Sequence, residues 1–276
     1  MTERDARARL ASAHRRRQVV RRRILAFALL LWPLAALADA GFFCSFETSP
    51  MDCGFMEQAK VPGRATLVDT ARDGSKAVRL YTEPGDNDVR GSGTWERNDL
   101  TLDQARTGCY EGAEQWWAHS VLFPGDSVAA AEGGVVAAFH HTGSRGQANF
   151  QILVKPEGLR FTGAGGPSVA FRSGDPGYYQ RYLGPLVKNR WYDFVYHVKW
   201  SSDSDGFMLA WVNGVQELAH RGPTLYAGQG CYFKLANYHA ASGAPSAVIH
   251  DRVVRGSSAA EVSLTLLQRV LQPAVP

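Results

Sequence analysis

Cys231-Tyr232-Phe233-Lys234-Leu235-Ala236-Asn237-Tyr238 alternates between two kinds of side chain. Extended, it turns Tyr232, Lys234, Ala236 and Tyr238 to one face and Cys231, Phe233 and Leu235 to the other. The second face suits a core. The first reads phenol, ammonium, small, phenol, which is either an exposed strand surface or a groove floor with space above Ala236. Further runs rich in Val, Phe, Tyr and Trp occupy 75–81, 114–123, 134–141, 149–154, 191–200, 206–212 and 247–254, and many alternate with period two. Asn213-Gly214, between two such runs, is the strongest hairpin signal. A helix is expected only in the tail, over 258–271, with Ser258 and Glu261 spaced as a capping box and Pro273 closing it. Many short strands without a βαβ rhythm predict an all-β fold: a concanavalin A-like jelly-roll sandwich of two antiparallel sheets with a concave groove.

The 276 residues, 45% hydrophobic and 20% charged, suffice for a large core and exclude a disordered or collagenous chain. The formal net charge of +4 hides an asymmetry, because nine Arg against three acids give residues 1–40 a charge of +6 and leave −2 for the rest. No general basic field remains to hold nucleic acid, so anion recognition must be local. The Arg-rich start is followed by an apolar run over 24–37 and by Ala38-Asp39-Ala40, the pattern of a signal peptide (1–40) cleaved before Gly41. That run is shorter than the ~20 residues a membrane-spanning helix needs. Arg16-Arg17 fits a twin-arginine leader. A periplasmic or extracellular location follows as an expectation, with residues 41–276 as one domain acting as a monomer free of the membrane.

Cys44, Cys53, Cys109 and Cys231 all lie in the exported part, where an even count favours disulfides. Three pairings are open. Cys44–Cys53 as a local loop and Cys109–Cys231 as a long-range tie are expected. The absence of a CxxC unit argues against zinc. No cofactor is expected; scattered oxygen ligands for a bracing calcium ion would leave no compact signature.

In Val135-Val136-Ala137-Ala138-Phe139-His140-His141, strict alternation puts Val136, Ala138 and His140 on one face. Either histidine could face a groove, and His140 follows small residues that leave room for a ligand. His119, sharing a face with Trp117, Val121 and Phe123, reads as buried. Arg97 and Asp99 fall on one side of Trp95-Glu96-Arg97-Asn98-Asp99-Leu100, where an acid-held guanidinium is a good carboxylate receptor. Arg145 and Arg181 could add positive charge. Tyr178, Tyr179 and Tyr182 could offer sugar-stacking rings from a loop.

Arg97-Asn98-Asp99-Leu100 resembles the Arg-Ser-Glu-Leu segment of jelly-roll polysaccharide lyases, Ala138-Phe139-His140 their Gln-Ile-His segment, and 232–238 their Tyr-Phe-Lys-x-Gly-x-Tyr segment, in the same order. Residues 114–124 and 191–200 further resemble the heparin lyase I-like and glucuronan lyase-like branch. The resemblance implies β-elimination on an acidic polysaccharide, with Arg97, His140 and Tyr238 catalytic and Lys234, Tyr232 and Asp99 binding substrate. Arg97 would stabilise charge on the sugar carboxylate, His140 would be base or neutraliser depending on the stereochemistry at C5, and Tyr238 would protonate the leaving oxygen or also act as base. Lys234 would favour negative charge on the phenol and steer the chain. Three positions depart from the pattern: Ala138 stands for Gln, Asp99 for Glu and Ala236 for Gly. The first removes an amide that would help neutralise a carboxylate. A non-catalytic, lectin-like module is the alternative; a glycoside hydrolase would need a pair of suitably spaced carboxylates, which no strand displays.

Overall fold

The computed structural model describes residues 41–87, 94–125, 127 and 133–262, so the leader and most of the expected tail helix lie outside the described residues. The chain forms β1 (Phe42–Cys44), β2 (Met56–Ala59), β3 (Ala65–Val68), β4 (Ala77–Thr82), β5 (Trp95–Leu102), β6 (Glu114–Leu122), β7 (Gly134–His141) and β8 (Phe150–Lys155). It continues through β9 (Gly158–Ala164), β10 (Tyr178–Gly184), β11 (Trp191–Lys199), β12 (Phe207–Val212), β13 (Val215–Arg221), β14 (Cys231–Ala240) and β15 (Ser246–Gly256). Short helices occupy Gln104–Thr107 and Ala259–Val262. One sheet runs β13-β12-β11-β6-β15-β4-β3 with β1 on β15, and the other β10-β9-β8-β7-β14-β5-β2, every ladder antiparallel. This is the expected jelly-roll sandwich.

Each run anticipated from alternation became a strand, because each had an apolar face to bury. Between the sheets pack Trp117, Phe139, Phe150, Phe161, Phe194, Tyr196, Trp200 and Phe233, all essentially inaccessible. The apolar face of β14 (Cys231, Phe233, Leu235) lies in this core as expected. Asn213-Gly214 joins β12 to β13 as a two-residue turn with both φ positive (50° and 84°), which Asn and Gly tolerate. His119 is buried; its Nε2 meets the Tyr196 hydroxyl at 2.9 Å, and burial, then His250, pushes its pKa well below the usual range. β10 replaces the expected loop around Tyr178-Tyr179. Alternation there turns Tyr179 inward to stack on His220, with ring centroids 3.7 Å apart.

Two register shifts shape the outer face of the seven-stranded sheet, and one of them breaks strict alternation. On β7, register shifts between Val135 and Ala137 against β8, so Val136 and Ala137 both enter the core while Val135 turns outward beside Ala138 and His140. The expectation that Val136 shared a face with His140 is therefore corrected: an extra residue in one strand shifts the period by one. On β14, register shifts between Leu235 and Tyr238 against β7. Asn237 at this bulge is fully buried and donates to the carbonyls of Leu80 and Ser246, both 3.1 Å away in the opposite sheet. His250 Nε2 donates to the Ala236 carbonyl at 3.1 Å. Gly134 lets β7 close on this point, since a Cβ there would sit 2.8 Å from the Tyr238 carbonyl oxygen.

Cys44–Cys53 and Cys109–Cys231 are both disulfide-bonded, as expected, and no free cysteine is left. The second closes a loop of 122 residues and ties the start of β14 to the segment after β5. Loop-closure entropy predicts a loss of about 5 kcal/mol for the double variant Cys109→Ala/Cys231→Ala and about 2.5 kcal/mol for Cys44→Ala/Cys53→Ala. Denaturant unfolding of the two variants is expected to rank them in that order.

Candidate functional site

Direct cross-strand pairing assembles the site. Arg97 faces Tyr238, Asp99 faces Ala236 and Thr101 faces Lys234 between β5 and β14. Across the other edge of β14, Tyr232 faces His140 and Lys234 faces Ala138 of β7. Directly paired residues share a sheet face, so ladder hydrogen bonding gathers on one surface side chains from distant parts of the sequence. Arg97, Asp99, His140, Lys234 and Tyr238 line one cavity of about 300 Å³, with Trp95, Val135, Ala138, Gln151, Leu153 and Lys155 completing much of its wall. A second cavity of about 280 Å³ shares Arg97, His140, Lys234 and Tyr238 and adds Tyr232 and Arg145. A third, of about 490 Å³, shares Gln58 and Tyr232 with the second and reaches Met56, Thr101 and Thr142. The walls held in common make a continuous depression, as a groove for an extended polymer requires.

Electrostatics tighten this constellation. Asp99 is completely buried, and its Oδ2 lies 2.5 Å from Lys234 Nζ and 3.4 Å from Arg97 Nε. Both cations are largely covered, with side-chain exposures of 8% and 12%. One carboxylate thus serves two cations, and the cluster keeps a net positive charge toward the cavity. The Arg97 guanidinium lies 4.1 Å from the Tyr238 ring centroid, and Trp95 packs on that ring at 4.9 Å, so the phenol is held between an indole and a cation.

His140 Nδ1 lies 2.9 Å from the His141 carbonyl oxygen. A carbonyl only accepts, so Nδ1 carries the proton and Nε2 keeps its lone pair. Burial first, partly offset by that hydrogen bond, depresses the pKa to about 4, with the nearby Lys234 and Arg97 charges contributing. The imidazole is therefore neutral at neutral pH. Tyr232 packs against it at 5.3 Å between centroids.

The structure brings together Arg97, Asp99, His140, Lys234, Tyr238 and Tyr232, and adds Arg145. Arg181 instead points toward Glu217 of the other sheet, at 3.4 Å, and is not among the residues lining these cavities, because its alternation on β10 turns it away. Sequence reading missed Gln151 and Lys155. A signal existed in the alternation of β8, where Gln151, Leu153 and Lys155 share a face, but nothing marked that face as adjoining Ala138. Among the described residues, no group of three or more His, Cys, Asp or Glu side chains is arranged to hold a metal ion.

A two-sheet sandwich of this topology with a polar, cation-bearing cavity across one sheet defines a jelly-roll protein of the concanavalin A-like class. A family profile described as polysaccharide lyase matches residues 51–254. The chain belongs to the polysaccharide lyase family. Among solved structures it is similar to an endo-β-1,4-glucuronan lyase from the fungus Trichoderma reesei, at 17% identity and TM-score 0.64 over 80% of this chain and 97% of that one. An alginate lyase solved with alginate tetrasaccharide shows 14% identity and TM-score 0.51 over 79% and 97%. A cellulose-induced protein shows 15% identity and TM-score 0.51 over 79% and 97%. At these identities the structural likeness speaks for the fold. No match was found among curated proteins.

Two outcomes are expected from the site's electrostatics. Asp99→Ala leaves two covered cations without their carboxylate and should cost about 3–5 kcal/mol in unfolding experiments, as breaking a buried pair does. For His140 the sign is fixed by its depressed pKa: between about 6.5 and 4 the unfolded chain binds the proton and the folded one does not, so stability falls on acidification across that window. Buried His250, also near 4, adds to the fall, while Asp251, raised to about 6 by burial, opposes it. His140→Gln should make stability less dependent on pH between 4 and 6.5 than in the parent, measured by urea unfolding at several pH values.

Proposed function

We propose that the protein cleaves a uronic-acid-containing polysaccharide by β-elimination. The observation that carries this reading is the meeting of Arg97, Lys234, His140 and Tyr238, from three neighbouring strands, around one cavity of about 300 Å³. The uronate carboxylate sits against Arg97, with Lys234 beside it. His140 Nε2, the free lone pair of a neutral imidazole, takes the proton from C5. Electrons of that C–H bond form the C4–C5 double bond, and the C4–O bond breaks. The departing oxygen receives its proton from the Tyr238 hydroxyl. Negative charge accumulates on the carboxylate as the C5 proton leaves, so fixed cations and donors there matter most, each typically worth about 10²–10³ in rate. A low pKa in the free protein does not disqualify His140, because a bound carboxylate beside it favours the protonated ring as it forms.

Asp99 acts beneath the surface, holding the two cations, and Tyr232 with Arg145 extends the groove beyond the reacting sugar. The two disulfides support an exported protein, periplasmic or extracellular, in keeping with the leader expected over 1–40. The partner is the acidic polysaccharide itself. The lack of any donor on Ala138 favours a second reading, a carbohydrate-binding module without cleavage.

The test is to incubate the mature protein with glucuronan, alginate, hyaluronan and heparin and to follow the ultraviolet absorbance of the unsaturated sugar end. Absorbance is expected to rise on at least one polyuronate. Tyr238→Phe and His140→Ala should each abolish the rise while retaining the parent's circular dichroism, and Arg97→Ala should lower turnover by about 10²-fold or more. Binding with no absorbance gain on any of these polymers selects the second reading.

A further inference from the structure

We propose that Gln151, on β8, supplies the uncharged hydrogen-bond donor that Ala138 cannot, and that its amide recognises the carboxylate of the bound uronic acid. The proposal rests on the polyuronate reading above and extends it to a residue in a different strand.

The register makes the case. Met56, Thr101, Lys234, Ala138, Gln151, Thr162 and Gln180 are successive direct partners from β2 across to β10, one continuous row over the sheet. Within that row Lys234 and Gln151 flank Ala138 on either side. Directly paired Cα atoms are about 5 Å apart, and a methyl group fills little of the space between its neighbours. The long side chain of Gln151 can therefore cover the gap over Ala138 from the side opposite Lys234. It lines the same cavity as Arg97, Lys234, His140 and Tyr238.

Gln151 is 7% exposed, and an amide so placed must have a partner for each polar end. One end is held: Nε2 donates to Thr162 Oγ1 at 3.1 Å. The Tyr178 hydroxyl interacts with Thr162 as well. Both hydroxyls donate and accept, so the chain Tyr178–Thr162–Gln151 can run in either direction. With Thr162 donating to Oε1, the amide turns its NH₂ into the cavity and offers it to a carboxylate. With Thr162 accepting from Nε2, it offers an oxygen to a sugar hydroxyl. An anionic sugar selects the first orientation at no cost in unpaired groups. A neutral donor suits this position, because a third cation beside Lys234 and Arg97 would lack the carboxylate that Asp99 gives those two.

The experiment measures binding in the inactive Tyr238→Phe background by calorimetry, with glucuronan and alginate tetrasaccharides and with the same oligosaccharides after carboxyl reduction to neutral sugars. Gln151→Met keeps the volume and removes the donor. It is expected to weaken uronate binding about ten- to hundredfold, the range for a hydrogen bond to a charged group, and to change neutral-sugar binding less than twofold. Thr162→Val, which keeps the amide but frees it, should give a smaller loss of the same selectivity. Equal losses on charged and neutral sugars, or none, would overturn the proposal and leave the lyase reading untouched, as would unchanged kcat/KM for absorbance gain in Gln151→Met alone. Selective loss in a protein that produces no unsaturated ends removes the lyase reading and keeps Gln151 as a carboxylate receptor. A parent protein that binds none of the uronate oligosaccharides overturns both.

Discussion

A single covered carboxylate, Asp99, holds Lys234 and Arg97 on one surface. Two cations side by side repel, and withdrawing either from water costs several kcal/mol unless an anion accompanies it. β5 and β14 meet that condition by placing Asp99 opposite Ala236, between the two cations along the ladder. The small partner leaves room for Lys234 to fold onto the carboxylate. From this follow the positive character of the cavity and the seat of the guanidinium over Tyr238; the depressed basicity of His140 comes first from burial, to which the two cations add.

The site also depends on irregularity. Strict alternation along β14 keeps Lys234 and Tyr238 on the outer face, but uniform alternation in β7 would not turn Val135 outward beside Ala138 and His140; the bulge in β7 does, and the register shift of β14 against β7 accommodates it. Their cost is met from the opposite sheet. Asn237 bonds to backbone carbonyls of Leu80 and Ser246, and His250 to that of Ala236. Polar groups in an otherwise apolar core thereby fix the strand that carries both Lys234 and Tyr238, linking the packing of the sandwich to the geometry of its reactive face.

Much of this was legible in the chain. The alternation of 231–238 placed Phe233 and Leu235 in the core, and Asn213-Gly214 marked its hairpin. Arg97 and Asp99 were readable as a pair because two residues apart on a strand is one face. The errors have equally local causes. Strict period two put Val136 beside His140, and a one-residue bulge replaced it with Val135. Gly and Pro around Tyr178-Tyr179 suggested a loop, yet pairing with β9 made an edge strand and packed Tyr179 against the core.

By itself, the sequence determined which side chains share a face wherever a strand runs without a bulge, which cysteines were available to bond, and that the fold would be two β-sheets, because these depend on local period and composition. Tertiary structure alone decided which strands lie side by side. That choice brings Ala138 next to Gln151, turns Arg181 toward Glu217 of the other sheet, and sets His140 across from Tyr232. Strand order arises from non-local hydrogen bonding and the burial of whole faces, and no window along the chain contains both partners of such a pair.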